Sequence, residues 1–220
     1  MKGKIRVFSA VSLFLFIGLS LSSAQELKDI KLPAPQTEGG RPLMQVLKAR
    51  QTSREYGPET KLPIQVLSNL LWAANGVSRP DGKRTAPSAV NWQNTDIYVA
   101  TADGLYLYDA PQHSLKVLLA EDVRAATGQQ DFVKSVPLDL VFVADYAKAK
   151  MPKGDNPNAD VWSAAGVGFI SQNVYLYCAS EGLATVVRGM FDRESLSKVL
   201  KLRPDQKIIL TQSVGYPKKK

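Results

Sequence analysis

The chain of 220 residues holds a single cysteine, Cys178, and a single histidine, His113. One thiol cannot close an intramolecular bridge, so a disulfide scaffold is excluded. A structural zinc site built from Cys and His needs four such ligands and is excluded as well. Ser-His-Asp catalysis would have to run through His113, which stands in the polar stretch Ala110-Pro111-Gln112-His113-Ser114. No Gly-x-Gly-x-x-Gly follows a strand and no phosphate loop ends in Lys-Ser/Thr, so neither nucleotide fingerprint is present. No basic stripe is interleaved with aromatic residues, and a nucleic-acid partner is not expected. What the chain does have is apolar content, 45% of its residues, far too much for a disordered polymer. Its formal charge is +8, but Lys2, Lys4, Arg6 and Lys218–Lys220 supply much of it, leaving a mildly basic body whose charged tail reads as solvated.

The first residues read as an address. Lys2, Lys4 and Arg6 precede the apolar run Val7–Leu21, and the small residues Ser22, Ser23 and Ala24 follow it. This is the layout of a secretory signal peptide, with cleavage expected after Ala24 and export to the periplasm. The run is shorter than the roughly 20 residues that span a bilayer, and no Cys follows it to carry a lipid. Residues 25–42, with Pro33, Pro35, Gly39 and Gly40, read as an extended arm or linker. Residues 43–220 then form one domain.

Within that domain, Leu43, Val46 and Leu47 recur at helical spacing to about Arg50. A second helix is expected from Pro63 to Asn75, with Pro63 in its first turn and Gly76 at its end. Residues 77–95 read as a loop. Asp96–Ala100 and Leu105–Tyr108, separated by Ala102-Asp103-Gly104, read as a hairpin. Leu115–Ala126 reads as a helix, Pro137–Asp145 as a buried strand, and residues 150–159 as a loop. Asp160–Gly182 is a long helix with apolar residues on nearly every face, which suits a core or a junction between a core and a partner subunit. Two strands, Ala184–Met190 and Lys207–Val214, flank a short helix at Arg193–Leu200. The fold class is α+β, a mixed, mainly antiparallel sheet packed by helices.

Four stretches carry candidate chemistry. Arg50-Gln51-Thr52-Ser53-Arg54 offers two guanidinium groups, two hydroxyls and an amide; in an extended segment Arg50, Thr52 and Arg54 face the same way, and Arg forks match phosphate oxygens. Residues 84–93, which include Pro87, Ser88 and Asn91, offer small residues, hydroxyls and amides that let a flat polar ligand approach the backbone. Gln172 and Asn173 read as buried amides that need partners, and Glu181-Gly182 ends their helix with a glycine suited to the C-cap. Gly215-Tyr216-Pro217 delivers Lys218–Lys220, a basic tail able to complete an anion site. Taken singly, each stretch also reads as an ordinary solvated turn, loop, core contact or chain end.

In this order the four stretches resemble the nitroreductase superfamily of flavin enzymes. Arg50-x-Thr52-x-Arg54 is similar to the family's Arg-x-Ser-x-Arg phosphate motif, with Thr for the common Ser. Ala86–Gln93 resembles its Pro-Ser-Ala-x-Asn-x-Gln loop, Gln172–Val187 its central helix and Gly-Leu turn, and Val214–Pro217 its closing strand. Gly104–Leu118 is closest to the branch containing the azoline oxidases of peptide-modifying systems. The likeness spans about residues 43–217. It implies a homodimer with FMN at the subunit interface and a ping-pong transfer of electrons to a small electron-poor substrate. Carried over by position, Arg50, Gln51, Thr52 and Arg54 bind the FMN phosphate and pyrimidine edge. Pro87, Ser88 and Asn91 meet the flavin from the partner, Glu181 and Gly182 lie beside its ring, and Lys218 assists the phosphate. No metal is implied and no catalytic side chain is singled out. The family's long C-terminal clasp is not matched after Pro217, and the N-terminal arm, residues 25–42, is the candidate expected to clasp the partner instead. The family's usual donor, NAD(P)H, is a cytoplasmic molecule, so an exported member calls for a membrane or periplasmic electron donor. Two other readings stay open: an azoline-type dehydrogenase acting on a peptide, and an exported flavin- or ligand-binding protein without turnover.

Overall fold

A computed structural model of the protein describes residues 27–149 and 156–219. The leader with its cleavage position, most of the expected loop at 150–159, and Lys220 lie outside the described residues.

Seven strands form one sheet in the order β1 (Ile30–Lys31), β4 (Ser114–Leu119), β3 (Leu105–Asp109), β2 (Thr95–Thr101), β5 (Leu138–Asp145), β7 (Gln206–Gly215), β6 (Ala184–Arg188). Every one of these pairings is antiparallel, so the sheet carries no parallel component among the described residues. The α+β class holds. Strand β5 lies between β2 and β7 and all eight of its residues are buried, which is why it reads as one apolar run rather than an alternation.

The two faces of β5 define two cores, since neighbouring side chains point to opposite sides of a strand. Leu138, Leu140 and Phe142 pack with Leu70, Leu71 and Ala74 of helix α2 (Ile64–Asn75) and with Val167, Ile170 and Val174 of helix α3 (Ala159–Glu181). Val141 and Val143 pack on the other side with Leu196 of helix α4 (Arg193–Val199) and with Phe191 and Ile208. Helix α1 (Leu43–Ala49) buries only Val46. Asp192 caps α4 by accepting the Ser195 amide at 3.0 Å, a standard N-cap bond.

The sequence misplaced one element. Leu115–Ala126 is not a helix. It is strand β4 followed by a 3-10 turn at Arg124–Thr127. Leu115, Leu118 and Leu119 have helical spacing, but the segment pairs with both β3 and β1. Its burial alternates instead, with Leu115 buried and Lys116 and Leu118 exposed. The tight turn before it, where Asp109 Oδ1 accepts the Gln112 amide at 3.1 Å and His113 adopts φ 45°, commits the chain to a hairpin. The N-terminal arm is more than a linker: it supplies β1, buries Leu32 at 3% exposure and lies along its own chain. Ser68 Oγ donates to the Pro33 carbonyl at 2.6 Å, and Asn69 Oδ1 accepts the Gln36 amide at 2.9 Å.

Candidate functional site

A cavity of about 200 Å³ opens where the end of α1, the end of α3 and the last strand meet; Gln51, Ser53, Tyr175, Gly182, Thr185 and Pro217 are among its walls. Three local features build it. Helix α1 stops at Arg50, whose amide makes the last helical bond to Val46 at 2.8 Å. The chain then runs irregularly to Tyr56, which bridges to Pro217. The Ser53 amide donates to the Thr185 carbonyl of β6 at 3.0 Å and the Lys218 amide to the Glu55 carbonyl at 3.2 Å. Helix α3 ends on Gly182 in the left-handed region, φ 72°, and the Leu183 amide returns to the Cys178 carbonyl at 2.8 Å. A side chain at that φ is strained, so glycine is the residue the turn calls for. Nothing lies within 4 Å of the place a Cβ would take, so the backbone there is open to a flat ligand.

The expected residues fall into two groups. Arg50, Gln51, Thr52, Arg54, Glu181, Gly182 and Lys218 gather at this end of α3. Of these, Gln51 and Gly182 line the cavity itself. Arg50 and Thr52 flank Tyr175, the former over its ring at 5.5 Å and the latter 3.1 Å from its hydroxyl. Arg54, Glu181 and Lys218 are exposed at the margin. Among the described residues no carboxylate lies within ion-pair distance of Arg50, Arg54 or Lys218.

Pro87, Ser88 and Asn91 are elsewhere. Pro87 and Ser88 border a small void with Gly166 and Ile170, in the first half of α3. That is roughly 18–24 Å from Gly182 at 1.5 Å per helical residue. Their loop is held by its own bonds: Ser88 Oγ accepts the Gln93 amide and Asn91 Oδ1 accepts from Gln93 Nε2, both at 3.0 Å. Val90, Asn91 and Gln93 all carry positive φ, and Val90 is 81% exposed. A β-branched residue held in that region is a strained outlier. Beside the loop, the Trp92 ring packs at a tilt against Trp162 of α3, their centroids 5.2 Å apart.

Helix α3 thus has a second face that the described residues leave open: Val161, Trp162 and Phe169 are 65, 37 and 48% exposed. Leu43 and Met44 of α1 are exposed as well, at 62 and 76%. Gln172, expected to be buried, lies on the open side. Asn173 is the helix contact its amide suggested, donating to the Ala74 carbonyl of α2 at 3.4 Å.

Tyr175 and Thr185 are among the cavity residues that escaped the sequence reading. Tyr175 was one apolar residue among many in a long helix, with no local sign that its hydroxyl reaches β6. Thr185 is buried under β7 and donates to the Ser213 carbonyl at 2.8 Å. Cys178 also borders the cavity, but complete burial pushes its thiol well above the ordinary range, so it serves as packing and not as a nucleophile.

Comparison with known proteins is consistent along the chain. The sequence profile of the Nitroreductase family matches residues 47–216. A candidate nitroreductase of Methanocaldococcus jannaschii is 34% identical over 171 residues, 73% of this chain and 85% of that protein. The crystal structure of a candidate nitroreductase from Ralstonia eutropha shares 43% identity and a TM-score of 0.81, covering 88% of this chain and 91% of that one. A chain of the Escherichia coli microcin synthetase complex has a TM-score of 0.67 over 96% of this chain and 85% of its own, at 15% identity. That last likeness is one of fold alone.

Proposed function

Since this chain belongs to the nitroreductase family and is an oxidoreductase of that kind, we propose that it works as a homodimer with FMN. Electrons pass from a donor to a small electron-poor acceptor in two half-reactions. FMN, when bound, would supply the electron-carrying chemistry.

The observation that carries this reading is the stitching of the 50–54 segment to the Gly182 turn. Ser53 bonds to Thr185, and Thr52 to Tyr175. Cationic and hydroxyl groups without a carboxylate partner are thereby held beside an open stretch of backbone. That donor set fits a phosphorylated planar ring. Arg50, Arg54 and Lys218 would hold the phosphate, Gln51 the polar edge of the ring, and the Gly182 backbone its face. Fixed positive charge and amide donors favour the electron-rich state of whatever ring they surround.

A volume of about 200 Å³ is small against the roughly 300–1,000 Å³ of ligand sites. A second copy of the chain would enlarge it. The exposed apolar face of α3 and the strained loop at Pro87, Ser88 and Asn91 are the surfaces such a copy would bring to the ring. They lie two or more helical turns back along α3 from Gly182, away from the cavity of their own chain.

The test is the spectrum of the purified protein, with release of the chromophore on denaturation and its identification as FMN. A colourless protein that takes up no added FMN contradicts the proposal. The proposal extends to place. The leader directs the chain to the periplasm, where a membrane or periplasmic donor feeds it. Rapid turnover with NADPH and none with membrane donors contradicts that part.

A further inference from the structure

Tyr175 joins three parts of the site: the 50–54 segment, the cavity wall and strand β6. Its ring walls the cavity and lies under Arg50 at 5.5 Å, and its hydroxyl stands 3.1 Å from Thr52 Oγ1 and 3.0 Å from the Val187 amide. We propose that Tyr175 is a positioning residue that turns Thr52 into a hydrogen-bond donor for a phosphate, and so sets the site's preference for phosphorylated over unphosphorylated flavin. This rests on the flavin reading above.

The argument is one of proton directions. A backbone amide only donates, so the Tyr175 oxygen accepts from Val187. The tyrosine is 7% exposed, and a buried hydroxyl proton left without an acceptor is costly. The acceptor within reach is Thr52 Oγ1. With that oxygen accepting from Tyr175, the threonine's own proton is directed elsewhere. Thr52 is exposed and makes no other hydrogen bond among the described residues. Its proton is therefore available to an acceptor outside the chain. The same ring holds the Arg50 guanidinium by its π face. A hydroxyl proton and a guanidinium presented side by side match the oxygens of a phosphate, which are acceptors only and carry negative charge. The acceptors on a flavin ring are neutral, and charge-assisted bonds are the stronger ones, so the preference falls on the phosphate.

The experiment titrates FMN and riboflavin separately into flavin-free protein and follows quenching of flavin fluorescence. Tyr175→Phe keeps the ring under Arg50 and removes the hydroxyl. The expected result is an FMN dissociation constant raised about three- to tenfold, the size of one hydrogen bond, with riboflavin affinity unchanged. Thr52→Val removes the donor directly and is expected to show the same selective loss, and the double variant no more than either alone. It also keeps the test alive if Tyr175→Phe fails to fold. Equal weakening of both flavins by Tyr175→Phe, or no weakening of FMN, overturns the role of Tyr175. Additive losses in the double variant overturn the coupling to Thr52. A wild-type protein that takes up neither flavin contradicts the flavin reading, and this role falls with it.

Discussion

Three arginines among the described residues lie over aromatic rings, and two of them, Arg188 and Arg50, have opposite surroundings. Arg188 lies over Phe132 at 5.9 Å and is closed in: its side chain is 3% exposed, Asp139 faces it at 2.7 Å with no exposure at all, and it also donates to the Thr127 carbonyl at 2.9 Å. Ser213 donates to the same carboxylate. Even Gly128 is shaped by this guanidinium, since a Cβ there would stand 1.8 Å from Nη1. Arg50 lies over Tyr175 at 5.5 Å, half-buried at the edge of a cavity, with no carboxylate beside it among the described residues. An arginine whose counter-ion is built into the fold holds the fold. One whose counter-ion is missing is ready for a ligand.

The closed pair adds little net stability for all its bonds. Burial raises the Asp139 carboxyl to about 7, against the opposing pull of Arg188 and Ser213. The same burial lowers the Arg188 guanidinium. Desolvation outweighs attraction on both sides, the usual state of a buried pair. Its effect is to pin the 3-10 segments at 124–134 to β5 and β6, and removing one member strands the other.

The largest expected effect therefore lies at the closed site. Arg188→Met should cost about 3–5 kcal/mol in urea unfolding, while the folded fraction keeps its FMN affinity. The double change Asp139→Leu with Arg188→Met should cost less than Arg188→Met alone. A single-variant loss below about 1 kcal/mol would remove the contrast between the two arginines.

Next in size is the open site. Arg50→Ala with Arg54→Ala should lower FMN affinity about a hundredfold or more, since hydrogen bonds to charged groups are worth about 1.5–3 kcal/mol each. Stability should move by less than about 1 kcal/mol, as exposed charges seldom support a fold. Unchanged FMN retention in equilibrium dialysis would contradict the phosphate assignment.

The smallest effect sharpens the same contrast at a third polar cluster. Ser68 Oγ donates to Pro33, so His113 Nε2 donates to Ser68 at 2.7 Å and Nδ1 accepts from the Tyr108 hydroxyl at 3.0 Å. That is a neutral imidazole clamping the N-terminal arm to α2. Burial lowers its pKa below the ordinary 6.5. The unfolded chain then binds the proton more readily, so this contribution is present above pH 6.5 and is lost as the pH falls below it. His113→Asn should flatten the stability profile between pH 7 and 5. An unchanged slope would show that the clamp does not titrate.

Local patterns made much of this molecule legible. The run Pro137–Asp145 announced a strand buried on both faces, and Pro63 and Gly76 bounded α2. The order of Arg50–Arg54, Pro87–Asn91, Glu181-Gly182 and Tyr216-Pro217 pointed to the family and to one of its two clusters. What stayed hidden is non-local. Asp139 and Arg188 meet only because β7 places β5 and β6 at a given register, and Tyr175 meets Thr52 only through the packing of α3 on β6. Leu115–Leu119 has the composition of a helix and becomes a strand because β3 offers it a free edge. The separation of Pro87–Asn91 from Arg50 along α3 is likewise a fact of the fold, and no spacing in the sequence encodes it.

The central claim, that two copies of the chain complete one flavin site, is tested most directly by complementation between damaged copies. One copy carries Arg50→Ala with Arg54→Ala, the other Ser88→Ala with Asn91→Ala, and the two bear different tags. Each variant alone has both of its sites damaged. The doubly tagged heterodimer has one site carrying all the damage and one intact, and it should bind one FMN with wild-type affinity. A heterodimer that binds no better than either parent, or a protein that stays monomeric with FMN bound, would contradict the account.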